Sequence, residues 1–200
     1  TDPSYAGQII TFTFPHIGNV GTNSQDIEAN FSSVKGCILR DSITNPANWR
    51  SEMSLDLWLK SQNLIAITGV DTRRLTRMIR DGGSPIGAIS HQPARNISPK
   101  ELQIAANSWQ GIEGLDLAIE VSCTKAYEWN ETKWQIEKSN LKLKKPKYHI
   151  IAIDFGVKHN ILRSLAELGC KITVVPASTT AKEVLEYKAD GVFLSNGPGD

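Results

Sequence analysis

Residues 148–155, YHIIAIDF, are followed by VKHNILRSLAELG (157–169), KITVVP (171–176), TAKEVLEYK (180–188) and GVFLS (191–195). Short apolar runs alternate with segments of helical length, and Thr180 with Glu183 forms the T-x-x-E opening of a helix. The order is βαβαβ, which predicts parallel strands with helices on both faces and right-handed crossovers. Ligands of such sheets sit at the carboxyl ends of the strands. The turns that matter are therefore DFGVKHN (154–160) and SNGPGD (195–200). Three strands by themselves leave a sheet edge unpaired.

DFGVKH offers only Gly156, so the G-x-G-x-x-G of a dinucleotide site is missing, and no GxxxxGK[ST] phosphate loop occurs anywhere. In SNGPGD, Gly197 and Gly199 lack side chains and Pro198 fixes φ near −65°, so backbone N–H groups there can meet a ligand with no Cβ in the way. An ordinary strand-to-helix turn has the same composition.

Upstream, EKSNLKLKKPK (137–147) concentrates lysines before Pro146 and marks a linker over 139–147, either a solvated connector or an anion-binding patch. Residues 1–138 form the first, mixed β/α domain, and 148–200 the beginning of the second. GQIITFTF (7–14) alternates as a half-buried strand stopped by Pro15, and VKGCILR (34–40) and NLIAITGV (63–70) are further strands. SEMSLDLWLKSQ (51–62) puts Leu55, Trp58 and Leu59 on one helical face after Ser51. Asp71 caps a helix from Thr72 to Arg80 with an apolar stripe of Leu75, Met78 and Ile79 and a basic one of Arg73, Arg77 and Arg80. That basic stripe is either a solvated face or a partner surface. SPKE (98–101) opens another helix through a Ser cap, Pro and Glu, and KAYEWNETKWQI (125–136) reads as an aromatic hairpin.

With 40% apolar and 22% charged residues and a net charge of +1, the 200-residue chain is globular and is not drawn to nucleic acid by charge. No apolar run approaches the roughly 20 residues of a membrane span and no signal peptide opens it, which points to a cytoplasmic protein. Cys37, Cys123 and Cys170 have neither disulfide-framework nor zinc-site spacing and read as packed thiols, so no metal site is expected. The start at Thr1 and the stop inside a turn predict a chain truncated at both ends.

TDPSYAGQIITFTFPHIGNVGTN (1–23), VDTRRLTRMIRDGG (70–83), DFGVKHNILRSL (154–165) and FLSNGPGD (193–200), in this order, resemble the small, glutamine-hydrolysing subunit family of carbamoyl phosphate synthetase, which carries a class I glutamine amidotransferase domain. The resemblance implies a flavodoxin-like second domain. It implies that Ser4 and the glycines Gly197 and Gly199 bind glutamine, with the Gly197 N–H helping to form the oxyanion hole. It places the nucleophilic cysteine, in a G-x-C-x-G pattern, and its His and Glu partners beyond Asp200. Cys37 (KGCIL), Cys123 (VSCTK) and Cys170 (LGCKI) lack those flanking glycines, so no catalytic residue is expected in this chain. It further implies a large synthetase subunit as partner, holding ATP and Mg2+ or K+, no cofactor on this chain, and a place in arginine and pyrimidine biosynthesis. Two other readings remain: a subunit that keeps the fold without the nucleophile, and a flavodoxin-like module for a phosphorylated ligand.

Overall fold

The computed structural model describes residues 1–136 and 146–199. The chain divides into two compact units, one of Gly7–Asp26 with Val34–Glu113, the other of Thr1–Ala6, Ile27–Ser33 and Gly114–Asp200. Contacts thus group the chain differently from a division at residue 138, because three upstream segments pack with the second sheet. Residues 139–145 of the expected linker, and Lys138, lie outside the described residues.

In the first of these units, β1 (Ile9–Thr11), β2 (Gly36–Ile38) and β3 (Ile65–Ile67) form a parallel sheet in the order β1-β2-β3. β1 is shorter than the alternation predicts. β2 has only three residues with which to pair, so the ladder gives out after Phe12 N–H donates to Ile38 O, and Phe14 is 67% exposed. Helix α1 (Leu55–Ser61) starts at the cap Ser54, three residues beyond Ser51, and lays Leu55, Trp58 and Leu59 against Cys37 and Leu39. Helix α2 (Thr72–Gly82) is capped by Asp71 as expected, with Leu75 and Ile79 half-buried. Met78 departs from the predicted stripe and is exposed, beside exposed Arg73, Arg77 and Arg80. Helix α3 (Pro99–Ser108) has the full capping box of Ser98 and Glu101.

In the second unit, a short helix α4 (Leu117–Val121) precedes strand β4 (Tyr127–Trp129). Then follow β5 (Tyr148–Asp154), α5 (His159–Glu167), β6 (Cys170–Pro176), α6 (Ala181–Glu186) and β7 (Gly191–Leu194). The strand order is β4-β6-β5-β7, with β5 parallel to both β6 and β7. Alternate residues serve opposite faces: Ala152, Ile172 and Val174 pack with Leu162 and Ala166 of α5, while Ile151 and Val175 pack with Val184 of α6. This is the doubly wound α/β arrangement that the second half of the sequence predicts.

β4 is not one arm of a hairpin. It runs antiparallel to β6, pairing Tyr127 with Val174 and Trp129 with Ile172, and so covers the β6 edge that the three strands would have left open. Tyr127 and Trp129 pack on the α5-side core, which gives the aromatic side chains more buried contact than a free hairpin offers. No helix among the described residues is long and apolar enough to cross a membrane.

Candidate functional site

The turns after β5 and β7 lie together at the carboxyl ends of those strands, and the first residues of the chain join them within the same unit. Asp2 caps a single 3-10 turn, Pro3–Tyr5, by accepting from Ser4 N at 3.0 Å. Burial pushes the Asp2 carboxyl up, but hydrogen bonds from the Ser4 backbone and hydroxyl, and Lys158 with its Nζ at 3.4 Å, outweigh it and hold the carboxyl below its ordinary value. Asn196 then ties this turn to the others. Its Nδ2 donates to Ser4 Oγ at 2.8 Å and to Gly156 O at 3.2 Å, and its Oδ1 accepts from Lys158 N at 3.2 Å.

The first loop is shaped by Asp154, 5% exposed at the end of β5. Its Oδ1 accepts from Gly156 N at 2.9 Å and Val157 N at 2.8 Å, and its Oδ2 from Cys123 N at 2.7 Å. Three N–H donors converge on one carboxylate, which turns the chain sharply and anchors the segment before β4 to it. Gly156 has φ +109°, and a Cβ there would lie 2.8 Å from Val121 Cγ2, 3.1 Å from Pro3 and 3.2 Å from Pro198. The second turn is held by Ser195, whose Oγ accepts from Phe155 N at 2.9 Å and donates to Asn196 O at 2.7 Å.

Of the residues singled out in the sequence, Ser4 and Gly197 are thus brought to one place, Ser4 through Asn196 and Gly197 through the next peptide. Gly197 approaches the first loop so closely that a Cβ would sit 2.1 Å from Phe155 O, whereas Gly199 has open space and φ +100°. Neither N–H donates a hydrogen bond among the described residues. The Arg73, Arg77 and Arg80 stripe belongs to the other unit.

Two of the three thiols are held in the neutral form. Burial, with Asp154 adding to it, pushes Cys123 up to about 12, and burial raises Cys37 as well. No group of three or more His, Cys, Asp and Glu side chains able to hold a metal ion occurs among the described residues. Asn196 and Asp154 were not singled out by their sequence positions, although an Asn before G-P-G and an Asp closing an apolar strand are the available signals.

Residues 1–89 match the family model of the carbamoyl-phosphate synthase small chain, CPSase domain, and residues 151–200 match glutamine amidotransferase class-I. Curated proteins called carbamoyl phosphate synthase small chain are similar along the whole chain. Those of Brucella anthropi, Bradyrhizobium diazoefficiens and Brucella ovis are each 50% identical over 204 residues, covering 100% of this chain and 50%, 52% and 50% of the relative. The chain thus spans about half the length of the curated relatives it matches. Two family regions, residues 1–89 and 151–200, joined by this identity from the first residue to the last, mean that the chain belongs to the carbamoyl-phosphate synthase small-chain family.

Proposed function

We propose that this chain contributes the glutamine-binding part of a glutamine-hydrolysing carbamoyl phosphate synthase. The observation that carries the reading is the Asn196 hydrogen bond, which seats Ser4 beside the turn containing Gly197 and Gly199 at the carboxyl end of the sheet. Ser4 offers a hydroxyl there, and Gly197 and Gly199 offer N–H groups not engaged elsewhere among the described residues. In the complete enzyme a thiolate supplied beyond Asp200 adds to the glutamine carboxamide carbon, and the carbonyl electrons move to oxygen. The N–H of Gly197 is positioned in sequence to stabilise that oxyanion, and such a donor acts only as charge develops. Proton transfer to nitrogen lets ammonia leave, and water then hydrolyses the glutamyl thioester to glutamate and regenerates the thiol.

The large subunit is the proposed partner. It receives the ammonia, holds ATP with Mg2+ or K+, and makes carbamoyl phosphate for arginine and pyrimidine biosynthesis in the cytoplasm. The high thiol pKa of Cys123 and the burial of Cys37 weigh against those two cysteines as the nucleophile. The test is Ser4→Ala in the full-length subunit assembled with its large subunit. One hydrogen bond to substrate corresponds to about a tenfold rise in KM for glutamine, with ammonia-dependent synthesis unchanged. An unaltered KM refutes the Ser4 contact.

A further inference from the structure

We propose that Asn196 is a positioning residue of the glutamine site, whose carboxamide sets where the Ser4 hydroxyl stands and which way its proton faces. This rests on the reading of Ser4 as a glutamine contact. The Asn196 amide has one orientation that satisfies its neighbours. Lys158 N can only donate and Gly156 O can only accept, so their contacts at 3.2 Å each fix Oδ1 toward Lys158 and Nδ2 toward Gly156 without reference to Ser4. Nδ2 carries two protons, and the second is the one that reaches Ser4 Oγ at 2.8 Å. Ser4 Oγ must therefore accept at that contact, and its own proton is turned elsewhere, toward Asp2 or a ligand.

The contacts also close a circuit. Asn196 holds Ser4, Ser4 N–H and hydroxyl hold Asp2, Asp2 faces Lys158 Nζ at 3.4 Å, and Lys158 N returns to Asn196. Ser4 sits on a single 3-10 turn, which has no ladder to locate it. A site on so short an element depends on neighbouring side chains for its geometry. Asn196 directly precedes Gly197, so one residue couples the hydroxyl contributed by the first turn to the backbone N–H contributed by the last.

The test uses Asn196→Asp, which is isosteric but places an acceptor where the donor stood, and Asn196→Ala, which removes the amide without setting a carboxylate against Gly156 O. Each is made alone and with Ser4→Ala in the full-length subunit assembled with its large subunit, and glutamate release is measured against glutamine concentration. Alone, each variant is expected to raise KM about tenfold, as loss of a contact worth one hydrogen bond does, with kcat changed less than about threefold. On the Ser4→Ala background the same change is expected to add less than about twofold, because a residue that acts through Ser4 has nothing left to position. If Ser4→Ala raises KM and the Asn196 variants do not, or if the effects multiply, Asn196 does not act through Ser4. If both Asn196 variants fail to fold, the residue serves the turn itself and the proposal falls. If Ser4→Ala leaves KM unaltered, the underlying assignment of Ser4 fails and takes this inference with it.

Discussion

Gly197 and Gly199 stand two residues apart in one turn and are glycines for different reasons. At Gly199 the backbone has φ +100°, which an L side chain rarely adopts, yet nothing lies within 4 Å of a Cβ. At Gly197 no positive φ is required, and the constraint is the approach of the Phe155 carbonyl. Since the obstacle is backbone rather than a movable side-chain tip, Gly197→Ala must push the two loops apart. We expect it to destabilise the second unit by about 1–3 kcal/mol or more, seen as a melting transition lower by several degrees. An unchanged transition by calorimetry contradicts the close approach. A low glutaminase rate in that variant therefore reports loop displacement first, and the N–H of Gly197 is better probed through substrate than through its own Cβ. The sequence N-G-P-G signals a turn at this scale, but which glycine is needed for φ and which for space depends on a residue some forty positions earlier, Phe155.

At the scale of elements, capping separates what local sequence can specify from what it cannot. α3 and α6 each open with a capping box, Ser98 with Glu101 and Thr180 with Glu183, and both are visible as S/T-x-x-E. α5 has no such signal, for Lys158 at its cap position makes no side-chain cap. Its free N–H groups are received from far away. His159 N donates to Glu28 O at 3.0 Å, Asn160 N to Glu28 Oε2 at 2.8 Å, and Lys158 N to Asn196 Oδ1 at 3.2 Å. A carboxylate at a helix N-terminus also meets the positive end of the macrodipole. Glu28→Ala is therefore expected to cost about 0.5–2 kcal/mol, the range of a lost cap, and to speed amide exchange at Asn160 in native-state hydrogen-exchange measurements. Exchange at Asn160 no faster than in the parent protein rejects the long-range cap. Arg163, 7% exposed and donating to Ile27 O at 3.1 Å, adds a second tie between α5 and the same segment.

For the molecule as a whole, the second sheet draws on chain that precedes it by a long stretch. β4 supplies the strand that covers β6, Leu117 and Val121 of α4 are buried, and Ser122 Oγ accepts from Ala177 N at 2.9 Å while Cys123 N reaches Asp154. Residues 148–200 expressed alone lose all of these, and a piece of about 50 residues buries too small a fraction of its surface to be comfortably stable. They are expected to aggregate through the bared edge of β6 and to show no cooperative unfolding by circular dichroism, whereas the 200-residue chain does. A monomeric, cooperatively melting 148–200 overturns this account of the β4 strand.

The alternation of apolar runs and capped helices from Tyr148 onward determined the βαβαβ order by itself, because each such pattern is set by neighbours in sequence. The same holds for the caps at Asp71, Ser98 and Thr180. The family resemblance of TDPSY pointed to Ser4, and NGPG announced a glycine turn from its composition. Tertiary structure alone decided the partner of β4, the bond from Cys123 N to Asp154, the cap that Glu28 provides and the joining of Ser4 to Gly197 through Asn196. Each of these pairs atoms separated by too much chain for periodicity or spacing to register. They follow from which groups the packed strands bring within hydrogen-bonding distance, since a buried donor or acceptor must find its partner there rather than in water.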